Sequence, residues 1–295
     1  MKSEKQVEIN HQLIETALPN NLTGIKACDD GSSAVVMQVY MQLRNLIEQG
    51  IEEAKKAGKK MLFVIGENHS DRKSLLIEAM VFYIFNDLKI NTICYENDPE
   101  AIEVVKKNLN IIWYFKPIPK LYSYFFEEEV RDGHSYNVIY TLRLVSELKL
   151  TCVGVDLPQE VTKRSGLRGD YLIRERNERM ETSVLKLDQN CGLIIGSGHM
   201  RDLLGRHGLN EKFHIVAVNS THEVIPKTAL TAYRAKLIED ITWAYSDENA
   251  IQINLPDNIS QVTAEEVMSL AKKVHVGYAK SKDVSMLAGL FQRFV

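Results

Sequence analysis

Two short units far apart in the chain carry residue types on which acid–base chemistry can be built. Gly66-Glu67-Asn68-His69 ends the apolar run Met61-Leu-Phe-Val-Ile, and Gly196-Ser197-Gly198-His199 ends Gly192-Leu-Ile-Ile. Each reads as a buried strand that turns sharply into a helix and delivers a histidine through a G-x-x-H sequence. Histidine is the side chain most readily used for proton transfer or metal ligation near neutral pH. In an open α/β sheet the carboxyl edge of the strands is where ligands bind. The pair therefore predicts one site built from two halves, with His69 and His199 on a common pocket. Carboxylates join them: Glu67 leaves the same strand end as His69, Glu96 follows Ile93-Cys94-Tyr95, and Asp156 follows Val153-Gly154-Val155. Acids and histidines on one rim shift one another's proton affinity. General acid–base catalysis and metal sites share that environment.

Hydrophobic patterning predicts the elements that must position these groups. Six strand candidates are 61–66, 91–96, 151–156, 192–196, 213–218 and 250–255. Most are near-continuous runs of Val, Ile and Leu, the pattern of strands covered on both faces in parallel sheets. Helices are predicted over 34–57, with Gly58 as C-cap, over 71–88, over 122–149 with a break near Asp132-Gly133, and over 168–188. Alternating strands and helices predict a three-layer α/β domain with a mostly parallel sheet. The second and third strands are separated by more helix than one crossover needs. Residues 98–149, with Trp113, Tyr114, Phe115 and Tyr122 among their aromatics, are expected to form a helical cap over the carboxyl edge. Residues 1–33 are polar and turn-rich and are expected to be a loosely ordered lead, and no linker divides 34–295. On the helix at 168–188, Ile173, Met180, Val184 and Leu187 make the apolar stripe, flanked by Arg176 and Asn177. A guanidinium there can hold a carboxylate or an oxyanion.

Composition removes several function classes. Of 295 residues 45% are hydrophobic and 25% charged, with a formal net charge of −3. Nucleic-acid binding usually needs a basic face, so no nucleic-acid partner is expected. No stretch approaches the ~18 apolar residues of a membrane span. Met1–Asn10 lacks the apolar core of a secretion signal. Cys94, Cys152 and Cys191 sit in or beside predicted strands as small hydrophobes. Without C-x-x-C spacing, structural zinc is not expected, and a reducing cytoplasm fits; delivery into another cell is compatible with this reading. Ser197 is not a nucleophile elbow, because Ile195 and His199 stand where G-x-S-x-G needs glycines. Gly196 and Gly198 are instead expected to permit a tight turn and a close backbone approach. Asp156, two residues before Pro158, reads as a turn residue. His134, His207, His214, His222 and His275 have no supporting spacing.

In order along the chain, Gly66-Glu67-Asn68-His69, Tyr95-Glu96, Arg176-Asn177-Glu178-Arg179-Met180 and Gly196-Ser197-Gly198-His199 resemble one motif set. It belongs to the superfamily of erythromycin esterases, haem-binding ChaN proteins and Tiki/TraB metalloprotease-like proteins. The resemblance spans nearly half the chain. It implies an α/β fold with an internal pseudo-two-fold repeat and a hydrolytic site of Glu67, His69, Glu96, Arg176 and His199. Erythromycin esterases are thought to use a histidine-activated water, Tiki-like members are metal-dependent peptide hydrolases, and ChaN proteins bind haem. Glu67 fits the esterase and ChaN form, whereas the paired G-x-x-H is similar to Tiki/TraB.

The chain is accordingly expected to hydrolyse an ester or an amide/peptide bond in a small-molecule or peptide substrate. His69 is the expected base, with Glu67 and Glu96 orienting it or binding a divalent ion. Arg176 is expected to hold the substrate or the oxyanion. His199 would complete a metal site or act as the second acid–base group. The metal set would be Glu67, His69 and His199, a mixture that suits zinc, manganese or cobalt. One alternative is a ChaN-like protein whose aromatic cap holds haem or another small flat ligand. A further alternative is a catalytically degenerate interaction protein.

Overall fold

A computed structural model describes residues 32–68, 71–100, 102–103, 106–107, 137–158, 161, 170–220 and 250–291. His69, residues 1–31 of the expected lead and most of the expected cap lie outside them. The first helix, α1, runs Ser32–Lys56 and starts inside the expected lead. Gly58 follows it at φ 68°, a left-handed turn that favours glycine. Then come β1 (Lys60–Glu67), α2 (Arg72–Leu88), β2 (Thr92–Tyr95), α3 (Asn137–Glu147), β3 (Thr151–Gly154) and α4 (Asp170–Val184). The order continues with β4 (Cys191–Gly196), α5 (Ser197–Leu204), α6 (His207–Lys212), β5 (Phe213–Asn219), β6 (Ile251–Gln252), a 3-10 turn at Asp257–Gln261 and α7 (Ala264–Phe291).

The six strands form one all-parallel sheet in the order β3-β2-β4-β1-β5-β6. All six coincide with apolar runs, although β6 keeps only two residues of its candidate. Alternation along β1 divides the core. Met61, Phe63 and Ile65 pack with α1, α2, α3 and α7, while Leu62 and Val64 pack with α4, α5 and α6 on the other face. Residues 61–65 are at most 1% exposed. Each such side chain contributes about 1.5–3 kcal/mol by leaving water, so β1 is firmly seated. The fold is therefore α/β, with helices on both faces of a parallel sheet.

Helix α2 is buried along Ser74–Phe85, enclosed by the sheet and by α1, α3 and α7. Asp71 caps it by accepting the Lys73 N–H at 3.1 Å, and Lys89 closes it in the left-handed conformation, φ 60°. Helix α3, within the segment expected as a cap, packs on α2 and β3 as a layer helix. No helix among the described residues is long and apolar enough to cross a membrane.

The two G-x-x-H units have different backbones. The first continues as strand through Glu67 and begins its helix only after Asp71. The second passes directly from Gly196 into α5, so His199 lies in that helix's first turn. Their register is offset by one: Gly66 pairs with Ile195, and Glu67 with Gly196.

Candidate functional site

Strands β1 and β4 are neighbours, which brings the two units to one point of the carboxyl edge. From β1 the chain leaves into α2 on one face and returns in β2, beyond β4. From β4 it leaves into α5 on the opposite face and returns in β5, beyond β1. Departure to opposite faces from adjacent strands opens a crevice at their carboxyl ends, the usual ligand position in such sheets. Glu67, two residues before His69, stands level with Gly196 on its rim.

The end of β1 is pinned from both faces. The Ser197 hydroxyl donates to the Glu67 carbonyl at 3.2 Å and to Asn219 Oδ1 at 3.1 Å. Ser220 donates to the Gly66 carbonyl at 2.9 Å, and Ser74 Oγ accepts the Asn68 N–H at 3.1 Å. A Cβ at Gly66 would lie 1.9 Å from Met200 Sδ of α5, so that buried side chain would have to move to admit one. Gly198 has open space where a Cβ would go, and Gly196 adopts φ −58°. The direct turn from β4 into α5 therefore needs no left-handed residue at either position. What position 196 supplies is its backbone N–H, which donates to Glu96 Oε2.

Glu96 is the hub. Its Oε1 accepts from Arg176 Nη2 at 2.6 Å and faces His199 Nε2 at 3.0 Å. Arg176 Nε donates to Asp156 at 2.9 and 3.1 Å, and its Nη2 donates to the same carboxylate. On the far side of His199, Nδ1 meets Asn177 Oδ1 at 2.6 Å. Asn177 Nδ2 donates to Asp202 Oδ2 at 2.8 Å, which leaves its oxygen as the acceptor towards the ring. Both ring nitrogens thus face protein oxygens.

Burial pulls the Arg176 guanidinium down in proton affinity, but Glu96 and Asp156 more than offset this and leave it raised. Arg176 stays charged. Its side chain is 24% exposed, against 6% for Glu96 and 8% for Asp156. Arg176 is therefore the most exposed of these three side chains.

Of the five expected site residues, the structure brings Glu96, Arg176 and His199 into direct contact and places Glu67 on the neighbouring strand; His69 lies outside the described residues. Asp156 is not only a turn residue, because it grips Arg176. Asn177 does not flank the apolar stripe of α4 but sits within it, at 0% exposure beside Met180 and Val184. Its place in R-N-x-x-M was the available sign.

Of the set expected for a metal, Glu67 and His199 are described and His69 lies outside the described residues. Both nitrogens of His199 face protein oxygens, so a metal there would displace Glu96 or Asn177 from the ring. Among the described residues no three His, Cys, Asp or Glu side chains converge as ligands. The aromatic run expected to hold haem lies outside the described residues. Comparison with known proteins finds no matching family, no matching curated protein and no matching solved structure.

Proposed function

We propose that the chain is a hydrolase that cleaves an ester or amide bond, with activated water as nucleophile, in the crevice between β1 and β4. The carrying observation is the adjacency of the two histidine units where the chain departs to opposite faces. In this reading His69 takes the proton from water, and Glu67 provides a fixed acceptor beside it. The exposed edge of Arg176 stabilises the oxyanion that forms as the carbonyl is attacked. Glu96 and Asp156 hold the guanidinium, so little reorganisation is needed at the moment of reaction.

His199 serves the same end through Glu96, fixing the carboxylate from the side opposite Arg176. The observation that both of its nitrogens are engaged favours water activation by protein groups, the esterase-like form. Turnover of a panel of simple esters and peptides, with and without a chelator, tests this. Hydrolysis that persists after chelation is expected. Complete loss on chelation, with recovery on adding zinc, manganese or cobalt, contradicts it.

A further inference from the structure

On the sheet face covered by α1, α2 and α7, one histidine joins all three helices. His275 of α7 lies flat on Tyr83 of α2, with ring centroids 4.7 Å apart and planes at 13°. Its Nδ1 meets the Tyr40 hydroxyl of α1 at 2.9 Å. Tyr40 is 0% exposed and Tyr83 8%. One turn later on α7, Tyr278 packs against Tyr40 with ring centroids 5.3 Å apart.

The charges beside this junction are already paired. Arg44 of α1 donates from Nη1 to Asp87 Oδ2 of α2 at 2.8 Å, and from Nε to Glu48 at 2.9 Å. Its guanidinium also lies over the Tyr278 ring, 4.9 Å from the centroid. His275 Nδ1 is 3.9 Å from that same Asp87 oxygen, beyond hydrogen-bond reach. The carboxylate that would hold a proton on the imidazole is thus engaged by Arg44. Burial first, then Asp87, raise the Tyr40 phenol above its ordinary range, so it keeps its proton and donates. Nδ1 therefore accepts, as it does only on a neutral ring.

The groups that face the ring are Tyr40 and Arg44 from α1, Tyr83 and Asp87 from α2, and Tyr278 of α7. Arg143 and Glu147 of α3, and Glu265 and Lys272 of α7, line a cavity together with Tyr83. Burial is the largest influence on His275 and lowers its proton affinity; Asp87 opposes it, Arg44 adds to it, and the net is lowered. A proton on Nδ1 turns that atom from acceptor into donor. The Tyr40 bond must then reverse, and Asp87 Oδ2 stands between two cations.

We propose that His275 is the closing element of an acid-sensitive clasp: neutral, it ties α7 to α1 through Tyr40; on gaining a proton it turns to Asp87, competes with Arg44 and loosens α7. The clasp does not depend on the hydrolytic reading. Unfolded histidine takes up its proton near pH ~6.5. With the folded affinity held below that value, the contribution of the neutral ring is fully present above it and is lost as pH falls.

The test uses the full chain and two measurements. By NMR, the assigned His275 ring signal is expected to titrate below pH ~6.5. Tyr40→Phe removes the donor to the neutral ring and should raise that midpoint by roughly half a unit or more. Hydrogen exchange over residues 264–281, corrected for intrinsic rates, should lose about tenfold or more of its protection from about pH 7.5 to about pH 5.5, and more than β1 loses. In His275→Asn, whose Oδ1 accepts from Tyr40 in place of Nδ1 and does not titrate, this extra loss should vanish. A midpoint at or above the unfolded value, or an equal loss of α7 protection in His275→Asn, overturns the clasp. Should His275→Asn fail to fold, Tyr40→Phe decides, and an unmoved midpoint there overturns it.

Discussion

A single oxygen of Glu96 bridges Arg176 and His199, 2.6 Å from Nη2 and 3.0 Å from Nε2. The bridge ties the end of β2 to α4 and α5, and the second oxygen takes the N–H of Gly196 at the end of β4. Removing one partner of a buried ion pair leaves the others uncompensated, at a cost of about 3–5 kcal/mol. Asp156 still holds Arg176, so Glu96→Ala is expected at the lower end, about 3 kcal/mol, measured by urea unfolding. A loss below about 0.5 kcal/mol, usual for a solvated surface residue, would show that the network does not hold in solution.

Arg176→Lys separates charge from geometry. Lysine keeps the charge but cannot span Glu96 and Asp156 with a planar fork. A stability loss of about 1–3 kcal/mol is expected, from bonds to charged groups that are no longer made. Turnover should fall by roughly 10²-fold or more if the fork also meets the developing oxyanion. Full turnover in a folded Arg176→Lys protein would remove the guanidinium from catalysis and leave it an architectural role.

Asn177 is the counterpart on the other side of the imidazole. Asn177→Ala leaves His199 Nδ1 facing a cavity, and an unsatisfied buried group costs about 1–3 kcal/mol. Asn177→Asp restores an acceptor. It also sets its second oxygen against Asp202 Oδ2, where the Nδ2 donor stood, so both variants should melt lower than the unaltered protein, and unchanged melting of Asn177→Asp would contradict the assigned orientation of the amide.

The strands were legible because residues buried on both faces leave unbroken apolar runs, as Met61–Ile65 and Cys191–Ile195 do. Gly58 and Asp71 mark helix boundaries through local chemistry. Strand order was not legible, since periodicity reports burial and not neighbours; nothing local places β4 between β1 and β2. The same limit applies to the site. Asp156 looks like a turn residue until Arg176, twenty positions on, is seen to reach it. The two G-x-x-H units read alike in sequence, yet only His199 enters a helix directly.

Gly154 tests how tightly the rim is built. A Cβ there would lie 2.6 Å from Pro99 N and 2.7 Å from Asn97 O, and the backbone offers no easy escape. Asn97 also accepts the Asp156 N–H at 3.1 Å, so the displaced segment carries the acids with it. Gly154→Ala is expected to cost about 1–3 kcal/mol through overpacking and to lower turnover beyond what the stability loss explains. Thermal melting and turnover on the same sample give both; unchanged turnover would show that this segment does not position the site.

The central claim is that water activated at the His69 unit attacks a carbonyl in the crevice between β1 and β4. Its most direct measurement is hydrolysis in ¹⁸O-labelled water, comparing the unaltered protein with His69→Ala. The account predicts one labelled oxygen in the acid product of the unaltered protein. It also predicts a roughly 10²-fold or larger fall in turnover for His69→Ala, the scale of losing a general base, with melting unchanged. Turnover by His69→Ala equal to that of the unaltered protein, or no labelled product from any ester or peptide tested, would contradict it.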